Sequence, residues 1–430
     1  MPVKTVAMIL AGGAGTRLDI LTEHRAKPAV PFGGQYRIID FTLSNCANSG
    51  ICDVGVLAQH FHRSISQHIG VGRPWDFDKE SNSVAILTPH PTGERVRGSG
   101  TAQAVYQNLD FVRDRDAKNV LVLCGDHVYG MDYRPMLLAH EACNADLTIA
   151  AIPVEGETAK NYGILSIDSN QRIREFEEKP ENPKSNLASM GVYVFRASFL
   201  QAVLREVCRQ HQAVDFGLDV IPRVIKTCRA FAYPYHGYWR DVGTLEEYWR
   251  ANMELIFPSP PLDLYDRTNG FTVHTTSRQL PSAKIGETGT VARSIVSGGC
   301  VINGTVENSV LSPNVVVEAG AVVRNSIIFD RSIVGKGSTL DRTILDKEVI
   351  IGEACRIGFG YIATENRDIP KILHTGLNII GKSVQIPGGT TIERNCRILS
   401  GVVESDFSSR TIEGGTSIFP NHVKNGQISG

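Results

Sequence analysis

The chain has 430 residues, of which 42% are hydrophobic, and this length predicts two or three compact units that each bury their own core. Lysine and arginine total 44 against 45 for aspartate and glutamate, so no net field would draw nucleic acid or an anionic membrane to the surface as a whole. No stretch of the sequence reaches the roughly 20 apolar residues that span a bilayer. We therefore expect a protein that binds neither nucleic acid nor a membrane.

The first ten residues lack the long apolar run and the cleavage site of a secretory signal. The nine cysteines are scattered and contain no C-x-x-C pair, a pattern typical of reduced and mostly buried thiols. Both features predict a cytoplasmic protein.

Up to about residue 256, short apolar runs alternate with longer amphipathic segments, which is typical of an α/β fold with a mixed, mainly parallel sheet covered by helices. The predicted strands are 5–10, 54–58, 120–124, 147–152, 163–167 and 191–195. The predicted helices are 41–49, 102–112, 135–144, 199–209 and 245–255. Ligands collect at the carboxyl ends of the strands in such folds, so the loop after Leu10 is the first candidate site.

Composition changes after Phe257, where three prolines within four residues predict a stiff linker. From about residue 284 onward, aliphatic residues recur in steps of about six with one slip. We expect these residues to point inward: Val316, Val322, Ile328, Val334, Leu340, Leu345, Ile351 and Ile357.

A coarser repeat lies over the hexads. Units of Ser or Thr followed by two aliphatic residues recur at 294–296, 309–311, 326–328 and 343–345, nearly one three-sided coil apart. This predicts a parallel β-helix that resumes, after an irregular insert at 361–377, at Ile386, Ile392 and Ile398. An antiparallel sandwich is the alternative, but hairpins do not have a period of six. We divide the chain into residues 1–257, a linker at 258–283 and a β-helix at 284–430.

The loop after the first strand carries two adjacent glycines and an arginine, in the order Leu10-Ala11-Gly12-Gly13-Ala14-Gly15-Thr16-Arg17. Small residues let backbone N–H groups converge on phosphate oxygens, and Arg17 adds a planar fork of donors. The loop is neither a P-loop nor a G-x-G-x-x-G fingerprint. A purely structural turn is the alternative.

Arg25 and Lys27 follow in a segment stiffened by Pro28 and Pro31. Lysine and arginine side chains are usually solvated. Here the two prolines restrict the backbone, which indicates that both side chains are held in fixed directions. With Arg17 they predict a pocket that carries three positive charges.

Two carboxylates complete the predicted phosphate site. Asp126 follows the buried strand 120–124, and a divalent cation such as Mg²⁺ is the simplest partner for a carboxylate there. Asp241 precedes the helix 245–255 and would share the ion. For both residues, capping of a following helix is the alternative. His127 is also a candidate ligand, although an orienting or packing role is the one we expect.

Glu178 and Lys179 precede Pro180 at the end of a strand-like stretch. A lysine held in place before a proline suits a single phosphate, and the adjacent glutamate suits sugar hydroxyls. These two residues therefore predict a sugar phosphate site.

Taken in order, L-A-G-G-x-G-T-R-L, R-A-K-P-A-V, G-D-H, E-K-P and W-R-D-V-G-T resemble the sugar-nucleotide pyrophosphorylases. Longer stretches at 32–41, 186–191, 215–222 and 238–244 look like the glucose-1-phosphate adenylyltransferase branch, which serves glycogen and starch synthesis. The resemblance implies a Rossmann-like nucleotidyltransferase domain followed by a left-handed parallel β-helix. It also implies the reaction of ATP with α-D-glucose 1-phosphate to give ADP-glucose and pyrophosphate.

The resemblance also implies roles for individual residues. Catalytic roles fall to Arg17, Lys27 and Asp126, and Mg²⁺ would be carried by Asp126 and Asp241. The nucleotide would lie against Leu10, Ala11, Gly12, Gly13, Ala14, Gly100 and Thr101, and glucose 1-phosphate against Gly163, Glu178, Lys179 and Ser189. Arg25 and Arg37 are candidates for binding a small phosphorylated effector, and the family implies a homotetramer.

The chain departs from the family pattern at three places. Relatives usually carry Trp-Tyr shortly before Gly100, where this chain has a stretch from Val96 to Ser99 without aromatic residues. His24 stands where a lysine often meets the activator, and Pro31 stands where some relatives have a histidine. These changes leave the effector unidentified.

Three alternatives stay open at the level of sequence. The enzyme would use another nucleotide base, or the chain would be a regulatory subunit with reduced catalysis. An acyltransferase β-helix is the third alternative, and it is disfavoured because the repeat region offers His374 as its one base before His422.

Overall fold

The structure is a computed structural model that describes residues 3–13, 15–59, 61–79, 82–88, 100–209, 213–266, 271–361 and 364–421. The described strands up to residue 257 are β1 (Thr5–Leu10), β2 (Pro31–Phe32), β3 (Tyr36–Arg37), β4 (Asp53–Leu57), β5 (Asp78–Lys79), β6 (Asn82–Leu87), β7 (Asn119–Cys124), β8 (Val128–Tyr129), β9 (Leu147–Pro153), β10 (Gly163–Ile167), β11 (Ile173–Glu178), β12 (Leu187–Arg196), β13 (Ala230–Pro234) and β14 (Trp239–Arg240). The α-helices are α1 (Ile38–Asn48), α2 (His62–Ile69), α3 (Thr101–Tyr106), α4 (Leu109–Arg113), α5 (Arg134–Ala142), α6 (Gly156–Ala159), α7 (Ala197–Cys208), α8 (Ile221–Val224) and α9 (Leu245–Glu254).

The chain forms two compact units whose segments interleave along the sequence. The first unit contains Met1–Gly13, Ile38–Trp239 and Asp266–Thr276, and the second contains Ala14–Arg37, Arg240–Tyr265 and Ser277–Gly430. Each unit combines segments from different parts of the sequence that pack together. The domain boundaries predicted at residues 257 and 283 therefore remain a prediction. In the described part of the chain, no helix has the length and apolar character that a membrane crossing requires.

The first unit is built on one mixed sheet with the strand order β11-β10-β12-β7-β1-β4-β6-β5, in which β9 pairs with β12 and β13 pairs with β9. The neighbouring strands β7, β1, β4 and β6 are parallel, whereas β12 runs antiparallel to β7, β9 and β10. Residues Val6 to Ile9 of β1 are fully buried, as expected for a central strand covered on both faces. The predicted α/β fold is confirmed.

Most predicted elements of this region appear within a few residues of their expected bounds, but the single helix predicted at 102–112 is wrong. The structure has two helices there, α3 and α4, with a break at Asn108. The side-chain amide of Asn108 donates to the carbonyl of Ala104 at 2.9 Å, while its backbone N–H donates to Val105. The side chain therefore takes the acceptor that the backbone N–H of Asn108 would use in a continuous α-helix.

The second unit contains the predicted left-handed parallel β-helix. Its strands are β15 (Lys284–Ile285), β16 (Thr290–Ala292), β17 (Ile295–Val296), β18 (Val301–Ile302), β19 (Thr305–Glu307), β20 (Val310–Leu311), β21 (Val316–Val317), β22 (Val322–Arg324), β23 (Ile327–Ile328), β24 (Ile333–Val334), β25 (Thr339–Asp341), β26 (Thr343–Leu345), β27 (Ile350–Ile351), β28 (Arg356–Phe359), β29 (Asn378–Ile380), β30 (Gln385–Ile386), β31 (Thr391–Glu393), β32 (Arg397–Ile398), β33 (Thr411–Ile412) and β34 (Ser417–Ile418). They form three parallel sheets of six, seven and seven strands; every third strand belongs to the same sheet up to β32, after which β33 pairs with β31 and β34 pairs with β32.

From Ile328 onward, the residues that point inward are those that the hexads predict. The prediction that Val316 and Val322 point inward is wrong. Val317 and Val323 are the buried core residues at those two turns. The cause is a five-residue step from Val323 to Ile328, which matches the one from Leu340 to Leu345. One step of five residues therefore occurs in each of these coils. A prediction that counts back from Ile328 in steps of six misses the earlier one.

The Ser/Thr units stack in one sheet, as their spacing predicts, and their hydroxyls form a ladder. The N–H groups of Ser309, Ser326 and Thr343 donate to the hydroxyl of the unit one coil earlier at 3.1, 3.1 and 3.2 Å. Each hydroxyl in turn donates to the carbonyl two residues before it, as Ser326 does to Arg324 at 2.6 Å. Small hydroxyl residues at this corner therefore satisfy buried backbone groups that the strands leave unpaired.

Candidate functional site

Lys27 and Asp241 form a largely buried pair in the second unit. The Lys27 Nζ donates to Asp241 Oδ1 at 2.8 Å and to the Asp241 carbonyl at 2.7 Å, and its side chain is 6% exposed. Gly15 has a φ of 63°, and a Cβ added there would lie 2.8 Å from the Cβ of Lys27. The loop can therefore pass against Lys27 because position 15 has no side chain.

Arg17 and Asp241 meet at Gly243. A Cβ on Gly243 would lie 3.0 Å from an Arg17 guanidinium nitrogen and 2.9 Å from Asp241 Oδ2. Val242 between them is buried and has a φ of 45°, which a β-branched residue rarely adopts. Such strain persists where surrounding structure imposes it, and it is concentrated at functional sites. Helix α9 is capped by Thr244, so capping does not account for Asp241.

The segments that carry this group are anchored to the β-helix. The Trp249 Nε1 of α9 donates to the Asn325 carbonyl at 2.7 Å, and the Arg342 guanidinium lies 4.2 Å from the Trp249 ring centre. Arg397 donates to both carboxylate oxygens of Asp19 at 2.7 Å. The coils therefore hold both α9 and the 3₁₀ turn that carries Arg17.

The candidate effector residues also lie in the second unit. Arg25 is buried and donates to both oxygens of Asp346 at 2.9 Å. The pKa of the neighbouring Lys347 is lowered to about 8, first by burial and also by the nearby charges of Arg37 and Arg25. The sequence analysis missed Lys347 because no local pattern distinguishes it from a solvated lysine of the repeat.

In the first unit, the predicted nucleotide loop lies at the end of β1. Leu10 accepts from the Gly125 N–H and Ala11 donates to the Leu57 carbonyl, both at 3.0 Å. Gly12 lies against the Gln59 side chain, and Gly13 is exposed with open space where a side chain would be. Ala14 lies outside the described residues.

Gly100 and Thr101 begin helix α3. The Thr101 hydroxyl donates to Asp215 Oδ2 at 2.8 Å and accepts from the Phe216 N–H at 3.0 Å. The Val214 carbonyl accepts from the next two backbone N–H groups of the helix. The start of α3 is therefore tied to the segment around residue 215.

The predicted sugar phosphate residues cluster around the Glu178 carboxylate. A Cβ on Gly163 would lie 2.8 Å from Glu178 Oε2, and one on Gly217 would lie 2.5 Å from the same atom. Burial raises the pKa of Glu178, against the nearby Lys179 charge, whose Nζ lies 3.3 Å from Glu178 Oε1. Lys179 is 60% exposed and has a φ of 47°. Ser189 is buried on β12, next to Ala188, which is the register partner of Ile164, and its hydroxyl accepts from the Gly191 N–H at 3.3 Å.

Asp126 lies between β7 and β8, so capping of a helix does not account for it either. Its side chain is 25% exposed, and its Oδ1 lies 3.7 Å from His127 Nε2. The His127 ring packs edge-on against Trp239, which packs against Tyr162 at centroid distances of 5.3 and 5.2 Å. Tyr162 accepts the Lys179 N–H through its carbonyl at 3.0 Å.

Ring contacts from His127 through Trp239 to Tyr162, followed by the backbone hydrogen bond from Lys179, therefore connect the Asp126 and Lys179 motifs of the first unit. The sequence analysis missed Tyr162, Gly217 and the contact role of Trp239. Gly217 and Trp239 stood in stretches that carried the family resemblance, and that was the one signal that could have found them.

Comparison of the sequence with known proteins identifies a family for each of the two regions of the chain. Residues 6–256 match the Nucleotidyl transferase family model, and residues 279–380 match the model for the GlmU-like, C-terminal hexapeptide. The chain is 48% identical over 421 residues to a glucose-1-phosphate adenylyltransferase of Thermomicrobium roseum, covering 96% of this chain and 97% of the relative. The enzyme of that name from Thermotoga maritima is 48% identical over 96% of this chain and 98% of its own length. The one from Acetivibrio thermocellus is 44% identical over 96% and 97%. The chain therefore belongs to the nucleotidyl transferase family, within the group of glucose-1-phosphate adenylyltransferases.

Proposed function

We propose that this chain transfers the adenylyl group of ATP to α-D-glucose 1-phosphate, giving ADP-glucose and pyrophosphate for α-glucan synthesis. A phosphate oxygen of the sugar phosphate attacks the α-phosphorus of ATP, and the bond from that phosphorus to the leaving pyrophosphate breaks. The observation that carries the proposal is the convergence of Arg17 and Lys27 on Asp241. The names of relatives that match nearly the whole chain support it.

This reaction needs positioning and charge neutralisation more than an acid–base pair. Arg17 is exposed, so its guanidinium can meet the triphosphate, whereas Lys27 is held by Asp241. We assign Arg17 to the phosphates directly. Lys27 neutralises charge near the reacting atoms and fixes the Asp241 carboxylate.

The first unit supplies the remaining contacts. The backbone of the loop from Leu10 through Ala14 would receive phosphate oxygens, with the exposed Gly13 offering its N–H, and the start of α3 at Gly100 and Thr101 would lie near the adenine. Glu178, with its raised pKa, would bind sugar hydroxyls, and Lys179 would bind the sugar phosphate. Gly163 and Ser189 complete this pocket by leaving space and by donating from a hydroxyl.

The reaction class implies a divalent cation, and the carboxylates fit Mg²⁺, which prefers oxygen ligands. Asp126 offers a partly exposed carboxylate, and Asp241 keeps its Oδ2 on the side away from the oxygen bound by Lys27. We propose both residues as ligands. When bound, the ion would neutralise charge on the phosphates.

Steady-state assays of the purified chain test this function. Pyrophosphate release is measured with glucose 1-phosphate and ATP, UTP, dTTP or GTP at equal concentrations. Fastest release with ATP supports the proposal, and faster use of another base overturns its adenylyl specificity. No release with any nucleotide would make the chain a regulatory subunit instead.

An effector site and a homotetramer remain part of the proposal. Arg25, Arg37 and Lys347 would bind a small phosphorylated anion in the second unit. Because the pKa of Lys347 is about 8, its charge is lost as pH rises through that value. Activation by such an anion should therefore weaken between pH 7 and 9, and an unchanged response would remove Lys347 from the site. Native mass measurement tests the tetramer.

A further inference from the structure

The end of β7 carries a second kind of metal-binding chemistry beside the proposed magnesium ligand. Cys124, Asp126 and His127 each offer one ligand atom, and the three atoms lie within 4.8 Å of one another. Donors around a tetrahedral Zn²⁺ are about 3.3–3.6 Å apart, given the usual Zn–S and Zn–N lengths. Asp126 Oδ1 and His127 Nε2, at 3.7 Å, lie slightly beyond that spacing. Small side-chain rotations would bring the sulfur to the same centre.

The His127 ring is oriented as in a metal site. Its Nδ1 lies 3.1 Å from the Met190 carbonyl, which can accept only from a protonated nitrogen. The neutral ring then carries its lone pair on Nε2, the atom that faces Asp126. A backbone carbonyl on the far nitrogen is the arrangement that fixes the tautomer of metal-binding histidines.

Gly191 leaves room for the sulfur. It has a φ of 67°, and a Cβ there would lie 2.5 Å from Cys124 Sγ and 3.4 Å from His127 Cε1. In the antiparallel pairing of β12 with β7, Val192 is the register partner of Leu123, which brings Gly191 to Cys124, the last residue of β7. The backbone of β12 therefore shapes the space around two of the three donors.

We propose that Cys124, Asp126 and His127 bind a thiophilic divalent cation of the Zn²⁺ class, with a fourth position left for water. Thiolate and imidazole favour Zn²⁺ or Co²⁺ over Mg²⁺, which prefers oxygen. Binding requires that the Cys124 thiol release its proton to solvent. Because the site engages Asp126, a bound Zn²⁺ competes with Mg²⁺ for that carboxylate and inhibits turnover. This last consequence rests on the proposed function, whereas the binding itself does not.

The test uses the full chain, stripped of metal and titrated with Co²⁺. A cobalt–thiolate bond gives a charge-transfer absorption band in the near ultraviolet, and we expect it to saturate at one ion per chain. Cys124→Ser and Cys124→Ala should lose the band, and His127→Gln should weaken Co²⁺ binding. Cys143→Ser, which changes an exposed cysteine, is the matched control and should keep it. Circular dichroism checks the fold of each variant.

Absence of the band in the unaltered chain, or its persistence in both Cys124 variants, overturns the proposal. A second measurement follows Zn²⁺ inhibition of pyrophosphate release in saturating Mg²⁺, expressed relative to the activity of each variant with Mg²⁺ and without Zn²⁺. We expect inhibition that EDTA, added well below the Mg²⁺ concentration, reverses and that Cys124→Ser abolishes. If the chain releases no pyrophosphate, the proposed function fails, but the cobalt spectrum still decides the site.

Discussion

Replacing Lys27 with methionine removes one positive charge and keeps most of the buried stem. Two hydrogen bonds join the Nζ to Asp241, whose side chain is 18% exposed. Breaking a buried pair costs about 3–5 kcal/mol, and partial access of water to Asp241 lowers this to about 2–3 kcal/mol. Loss of an electrostatic stabiliser lowers turnover by about 10²- to 10³-fold. We therefore expect Lys27→Met to fold with reduced stability and to be nearly inactive.

Urea unfolding and pyrophosphate release measure the two effects, and Asp241→Asn with the double variant completes a cycle. If Lys27 acts by holding Asp241, the double variant loses no more turnover than Asp241→Asn alone. If Lys27 also meets the phosphates, the two losses multiply.

Lys79→Met is the matched control, because Lys79 pairs with Asp76 while 58% exposed. The free energy of unfolding of Lys79→Met should stay close to that of the unaltered chain, because exposed ion pairs contribute little to stability. Turnover of Lys27→Met within about threefold of the unaltered chain would refute the electrostatic argument.

Three further outcomes are expected. Gly163→Ala places a methyl group 2.4 Å from the Phe176 ring and 2.8 Å from Glu178 Oε2, so both side chains must shift, and the KM for glucose 1-phosphate should rise about tenfold or more while that for ATP changes little. An unchanged KM for glucose 1-phosphate would remove Glu178 from that site. Burial lowers the pKa of His140 from 6.5 to about 4, so the unfolded chain binds more protons in that window and stability falls as pH drops through it. Urea unfolding measures how far the free energy of unfolding falls between pH 7 and pH 5. This fall should be about 1–3 kcal/mol smaller for His140→Gln than for the unaltered chain, and an equal fall in both would contradict this reasoning. Ser326→Ala removes a rung of the hydroxyl ladder and should cost about 1–2 kcal/mol in urea unfolding, more than Ser294→Ala, whose hydroxyl is exposed. Equal costs would show that burial of the rung is irrelevant.

The sequence predicted those strands and coils whose pattern of apolar and hydroxyl residues is complete within a short segment. The fully apolar run of β1 and the hydroxyl units of the β-helix have periods that a chain satisfies within one strand or one coil. The one predicted helix that proved wrong, at 102–112, failed at Asn108, where a side chain competes for a backbone acceptor. The two misplaced core valines failed because a second five-residue step is invisible without the stacking of coils.

The motifs around Arg17, Lys27, Asp126 and Lys179 could be recognised from the sequence because they consist of charged residues, glycines and prolines at short spacings. The contacts between these groups could not be predicted from the sequence, since the partners are far apart in the chain. Lys27 meets Asp241 across more than 200 residues, and Arg25 meets Asp346 across more than 300. The lowered pKa of Lys347 likewise comes from burial and from charges distant in the sequence, and the space around the Cys124 sulfur is set by Gly191 on another strand. Distances between side chains depend on how distant segments pack, and no period or motif along the chain encodes them.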